Sequence, residues 1–352
     1  TWMRVLRVRK CLKNTRVLLA VRWDSNRSYS SYDNFINQSD VTNKWGIQFR
    51  HVNVHELLDQ THPVDPTTNP STPGRKALNI NDEDMKEIEK ITDELIANAE
   101  ACTMEPDMVK KTIQAYYTVQ KLLDAYDCNA FTAPCPDLCS TRRLSEERVT
   151  FCLTHSLNIE NGIPSACDLD FNSLLTQAIL ENLSGKSVYM GNANVCSLED
   201  GKLPTIFGDF DDAHIDHLDD KTNLYSIFHA TPTRKFDGFE QPLKKYSVDS
   251  FAYSGFGATV RYDFMQDEGQ EITVCRIDPT GTKMLAAKGT IVASAGYDGK
   301  SCGQGLFFRV ADNKDLFYKQ CEFGCHLTLV YGDYIEDLKK FGKVTGIEIV
   351  TA

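Results

Sequence analysis

The chain is 352 residues long and carries 49 acidic against 38 basic side chains, a formal charge of −11, with 41% hydrophobic and 25% charged residues. This length exceeds the usual size of a single core, so two domains are expected, and the acidic balance excludes a general nucleic-acid binder, which needs clustered Lys and Arg. It shows neither a signal peptide nor the apolar run of ~18 residues that a spanning helix needs, so no membrane association is expected.

Residues 1–13 read as a helix end with a solvated basic face, and Arg16–Arg22 as a short buried parallel strand. Starting at Thr1-Trp2 without Met, the chain is expected to be a processed or truncated piece of something longer. Asp24–Tyr32 is polar loop. A second helix ends at Gly46, and Ile47–Val52 alternates as a strand, which is βαβ rhythm. Thr61–Arg75, with four prolines, reads as a surface loop. Helices follow with apolar stripes Met85, Ile88, Ile91, Leu95 and then Met108, Val109, Ile113, Tyr116, Leu123. Cys128–Ala133 is the next strand, and Glu146 and Glu147 open a helix through Leu153.

Gly162-Ile-Pro-Ser-Ala-Cys-Asp-Leu-Asp-Phe171 is a strand-to-helix switch carrying two carboxylates. The helix after it is striped by Phe171, Leu174, Leu175, Ala178, Ile179 and Leu183 and runs to Gly185. If the strand passes through both acids, Asp168 and Asp170 point to one side. Alternatively, Asp170 is the helix N-cap. Ser187–Gly191 is another strand, and Ser197–Asn223 an acidic excursion without calcium-loop order.

From Tyr225 the strands become short, alternating and turn-separated, at Phe256–Phe264, Gln270–Ile277, Lys283–Ala293 and Gly305–Val310. Cys325–Tyr331, a helix at Tyr334–Phe341 and a strand at Ile347–Val350 close the chain. The predicted fold is therefore α/β, a parallel-sheet Rossmann-like domain over 1–224 followed by a mainly antiparallel, β-barrel-like domain over 225–352.

Ser184-Gly-Lys-Ser187 lacks the first glycine of a phosphate loop and ends a helix instead of starting one. The twelve cysteines, spread through a long chain, favour reduced thiols in the cytoplasm. Cys135-x3-Cys139 and Cys321-x3-Cys325 with His326 have spacings that a structural zinc tolerates, with buried free thiols as the alternative. A third constellation joins Asp168, Asp170, Glu146 or Glu147 and His326 between the domains. Such a donor set suits Mn²⁺ or another divalent cation.

Asn161-Gly-Ile-Pro-Ser-Ala-Cys-Asp-Leu-Asp170, the helix ending Leu183-Ser-Gly185 and the closing Phe323-Gly-Cys-His-Leu-Thr-Leu-Val330 together resemble the L-fucose isomerase and L-arabinose isomerase superfamily. The resemblance covers most of the chain. It implies a Mn²⁺-dependent aldose–ketose isomerase acting on a small open-chain sugar through an enediol. It assigns Asp168, Asp170 and His326 to the metal and Glu146, Glu147 and Asp170 to proton transfer, with the first acid of the pair being Asp where the family commonly has Glu. His229, in Phe228-His-Ala-Thr-Pro232, is a candidate substrate contact or else a packed histidine at a strand end. The family carries a further α/β domain before the segment where this chain starts, and it forms homo-oligomers. The alternative is a non-catalytic homologue that binds a sugar or a partner.

Overall fold

The computed structural model describes residues 2–21, 37–64, 78–135, 139, 146–196, 212–297 and 299–352. The expected loops at 24–32 and most of 61–75 and 197–223 therefore lie outside the described residues.

Strands β1 (Arg16–Val21), β2 (Gln48–Asn53), β3 (Ala130–Thr132) and β4 (Ser165–Ala166) form a parallel sheet in the order β2-β1-β3-β4. Around it stand α1 (Trp2–Lys13), α2 (Gln38–Trp45), α3 (Val54–Asp59), α4 (Asp82–Ala97), α5 (Pro106–Ala125) and α6 (Cys152–Glu160). Their ends follow from local chemistry. Asn37 caps α2 and Gly46, at φ 80°, terminates it. Asn81 and Asp84 form a reciprocal capping box on α4, and α5 opens with Pro106 in its first turn. The stripe residues expected in α4 and α5 form one satellite core with Val248, Ala258 and Val260, except Leu123, which joins the main core.

The helix expected to run from Glu146 through Leu153 is broken. Arg148 adopts φ 58°, a left-handed conformation that stops a helix, and regular helix resumes only at Cys152.

The second unit is a closed antiparallel barrel. Strands β5 (Tyr189–Val195), β6 (Leu224–Phe228), β9 (Glu271–Ile277), β10 (Lys283–Ala295), β11 (Gly305–Val310) and β12 (His326–Tyr331) run in the order β11-β6-β5-β12-β9-β10, and β10 pairs back with β11. A register shift between Ile291 and Ala293 marks a bulge in that last pairing, where a barrel needs to bend. On the other side of β11, Gly305 allows the close approach of β6, since a Cβ would stand 2.1 Å from the Ile227 carbonyl oxygen. β7 (Ser247–Ser250) and β8 (Ala258–Arg261) form a separate hairpin. Helices α8 (Asn313–Gln320) and α9 (Ile335–Thr345) flank the last strands, and β13 (Glu348–Thr351) adds to β10 in parallel. One barrel strand, β5, precedes residue 225, so the two units share the chain less cleanly than the change of rhythm implies.

Helix α7 (Phe171–Ser184) joins them. It packs on α1 on one side and on β9 and β12 on the other, and it is buried on all faces rather than on one stripe. Its polar side chains hydrogen-bond the barrel: Asn172 Nδ2 donates to the Ile277 carbonyl at 3.1 Å, and the Ile277 amide donates to Thr176 Oγ1 at 3.0 Å. Gly185, at φ 74°, caps its C-terminus. Among the described residues, no helix is long and apolar enough to cross a membrane.

Candidate metal centre

The site grows from the carboxyl ends of β3 and β4, where open parallel sheets commonly bind ligands. β4 is only two residues long, and a tight turn, Cys167–Leu169, replaces any continuation of the strand. Asp168 and Leu169 both adopt positive φ, 65° and 53°. Such backbone costs on the order of 1–3 kcal/mol per residue and persists only where the surroundings fix it. Here Thr132 Oγ1 donates to the Ala166 carbonyl at 2.7 Å, and the Leu169 amide donates to the Ala133 carbonyl at 3.0 Å. The turn separates the two acids, so they do not share one face of a strand.

Asp170 is the N-cap of α7. Its Oδ1 accepts from the Ser173 amide at 2.9 Å, while Oδ2 accepts from Ser173 Oγ at 2.9 Å, Arg276 Nη1 at 2.7 Å and His326 Nδ1 at 2.8 Å. Asp170 and Arg276 are fully buried. Burial alone would raise the Asp170 pKa, but Arg276 and His326 outweigh it and hold the carboxyl well below the usual range. Both oxygens are thus committed. This argues against the expected roles of Asp170 as metal ligand and proton carrier and makes it the residue that orients His326.

His326 opens β12, so the barrel delivers it to the turn. With Nδ1 bonded to Asp170, its Nε2 stands 3.4 Å from Asp168 Oδ2. His229, at the end of β6, places Nε2 4.0 Å from the same oxygen, and the two imidazoles meet edge to face with centroids 5.5 Å apart. The His229 amide donates to the Gln304 carbonyl at 2.8 Å, and Tyr189 Oη donates to the His229 carbonyl at 2.9 Å. Its Nδ1 has no partner among the described residues. Cys167 Sγ donates to Asp168 Oδ1 at 3.0 Å. Burial pushes the Asp168 carboxyl up, yet His229, His326 and Cys167 together bring its pKa below the ordinary value. Burial lowers the His326 pKa, whereas its bond to Asp170 and the charge of Asp168 raise it further, so the net shift is upward.

One carboxylate oxygen therefore faces two imidazole nitrogens across 3.4 and 4.0 Å. Carboxylate oxygen and imidazole nitrogen are donors that a divalent cation takes at about 2.0–2.2 Å. The pairing of His326 with Asp170 is the carboxylate–histidine arrangement that presents the other ring nitrogen to a metal. Asp168, His229 and Cys167 lie close enough together to hold an ion, with His326 on the same carboxylate oxygen, and a second such group comprises Cys135, His155 and Cys167.

The glutamates stand differently. Glu146 is exposed, and Glu147 Oε2 lies 2.6 Å from His62 Nε2, in the loop after α3. Neither sits in an environment like that of Asp168. Of the two proposed zinc pairs, Cys321 and Cys325 are exposed and in no disulfide, while Cys135 has His155 and Cys167 as its immediate partners. Sequence reasoning missed His155, Cys167, Arg276 and Arg261. Only topology brings them in, although Arg276 in an apolar strand was a readable signal of a buried partner. Arg261 is buried with Nη2 donating to the Ser250 carbonyl at 3.0 Å, and its Nε and Nη1 have no partner among the described residues. It lies next to Tyr262, whose amide donates to Gln304 Oε1 at 2.6 Å, one link from His229.

No protein-family model and no curated protein matches this chain.

Proposed function

We propose that the protein is a metal-dependent aldose–ketose isomerase of the fucose and arabinose isomerase type, with a Rossmann-like first unit. The observation that carries the reading is the convergence of Asp168, His326 and His229, with His326 held by Asp170. Asp168 and His326 would hold the divalent ion, with His229 as third ligand or as substrate contact. Oxygen and imidazole donors suit Mn²⁺ and exclude a calcium-type site. When bound, such an ion polarises the sugar carbonyl and its neighbouring hydroxyl. The protein's own groups do the rest. Asp170 and Arg276 fix the ring of His326. Arg261 offers unpaired guanidinium donors to sugar oxygens. Glu147, whose carboxylate His62 binds, is the candidate to carry the proton between adjacent carbons. The family resemblance adds a homo-oligomer, and twelve free thiols are in keeping with the cytoplasm.

One observation favours the non-catalytic alternative: Glu146 is exposed and Glu147 is already bonded by His62. A conversion screen of pentoses and hexoses on chelated protein, with and without Mn²⁺, separates the two. Turnover that depends on metal and vanishes in Asp168→Asn and His326→Ala supports the isomerase. Metal and sugar binding without turnover on any aldose would put the binding protein first.

A further inference from the structure

A second donor set, independent of the isomerase reading, lies on the other side of Cys167. Cys135 follows β3, His155 projects from α6, and Cys167 follows β4. Their two Sγ atoms and a ring nitrogen lie within 4.8 Å of one another, and all three residues are buried. Cys135 Sγ is 3.3 Å from His155 Nε2. The ring is fixed from behind: His155 Nδ1 is bonded to Ser165 Oγ at 2.8 Å, and Asn158 Nδ2 donates to the same oxygen at 3.1 Å. Its face stacks on Phe131 with centroids 5.6 Å apart. Nε2 is thereby aimed at the thiols.

Zinc bonds of about 2.3 Å to sulfur and about 2.0 Å to nitrogen, at a tetrahedral angle, separate the two donors by about 3.5 Å. The observed 3.3 Å is close to that. Two thiols and an imidazole are a soft donor set, poorly suited to Mn²⁺ and well suited to zinc.

We propose that Cys135, His155 and Cys167 bind a zinc ion that is separate from the divalent ion at Asp168 and His326. The zinc ties together the ends of β3 and β4 and helix α6. It pins the residue immediately before the two positive-φ positions and so fixes the direction of Asp168. Cys167 gives up the proton that it now donates to Asp168 Oδ1, since metal binding to a thiol releases a proton.

The test is metal analysis of the intact protein, purified under reducing conditions and dialysed against Mn²⁺, together with the absorption spectrum of the Co²⁺-exchanged form. About one zinc per chain should survive dialysis, and the cobalt form should show thiolate-to-cobalt charge transfer. Cys135→Ser and His155→Gln should lose the zinc and keep Mn²⁺, whereas His326→Ala should lose Mn²⁺ and keep the zinc. Should Cys135→Ser fail to fold by circular dichroism, His155→Gln and the wild-type cobalt spectrum still decide. Wild-type protein with neither zinc nor charge transfer overturns the proposal. So does zinc that Cys135→Ser leaves in place, or a Cys135–Cys167 disulfide found by peptide mapping of zinc-free protein.

Discussion

Asp168 and Asp170 belong to the same turn and are both buried, yet they sit in opposite kinds of surroundings. Asp170 is finished: two serine donors, a guanidinium and an imidazole occupy its oxygens, and Arg276 goes on to bond the carbonyls of Phe323 and His326. This network joins α7 to the barrel, and both Asp170 oxygens are used up in it. Asp168 sits on left-handed backbone, accepts from the Cys167 thiol and faces two ring nitrogens at 3.4 and 4.0 Å. A carboxylate whose two oxygens are filled by fixed donors is scaffold. One that gathers two ring nitrogens and a thiol is where the proposed ion would bind.

The largest effect expected from this contrast is on stability. Arg276→Met leaves the buried Asp170 carboxylate without its cation, which should cost about 3–5 kcal/mol in urea unfolding of the metal-free protein. Asp168→Asn should cost far less stability and remove metal binding altogether. Equal stability losses for the two variants would break the distinction between scaffold and site.

Asp170→Asn sharpens it. If Asp170 acts by orienting His326, metal affinity should fall about 10–100-fold without disappearing, as read by titration calorimetry. Complete loss, matching Asp168→Asn, would return Asp170 to the role of direct ligand that its place in the acid-x-acid motif suggests.

The acids themselves were visible in the sequence, and so was the switch that carries them, because a short apolar strand and a helical stripe bracket them. The parallel strands and most barrel strands were equally legible, since each has its own period and its own turn residues. The division of labour between the acids was not. It depends on positive φ at Asp168 and Leu169, and neither residue type advertises that conformation. It also depends on Arg276 and His326, more than a hundred residues downstream of Asp170. The partnership of Cys135 with His155 was hidden for the same reason: the two lie on neighbouring elements of the parallel sheet's edge. The helix expected at Glu146 failed at Arg148, whose left-handed backbone no periodicity reveals.

The pH dependence of metal uptake tests the electrostatics of the same corner. Asp170 and Asp168 raise the pKa of His326 over the lowering by burial, so its proton is held to higher pH than an ordinary imidazole holds it. A metal competes with that proton. Apparent affinity should therefore keep rising above pH 6.5, by at most about tenfold per pH unit for one proton released. In metal-free protein the sign reverses: the stability contributed by protonated His326 is present below about pH 6.5 and is lost as pH rises through the raised value. A metal affinity that is flat above pH 6.5 would mean that Asp170 does not hold the proton on His326.

The last effect, spread over several pH units, concerns a third buried carboxyl on the same helix as Asp170. Both oxygens of Glu181 lack a partner among the described residues, and burial pushes its pKa well above the ordinary value. Among those residues no second metal-binding donor converges on it, so the expectation is a neutral carboxyl rather than a ligand. In the unfolded chain the same group ionises above about pH 4.3. The folded state then binds one more proton than the unfolded state, and stability should fall with rising pH from that point until the folded group also titrates, with a limiting slope of about 1.4 kcal/mol per pH unit. Glu181→Gln removes this loss. Its stability relative to wild type should be lowest near pH 4 and improve steadily towards pH 8 in urea unfolding. Parallel curves for the two proteins would show that Glu181 is ionised in the fold, and an ionised carboxylate at that depth would need a cation that the contrast between Asp168 and Asp170 does not supply.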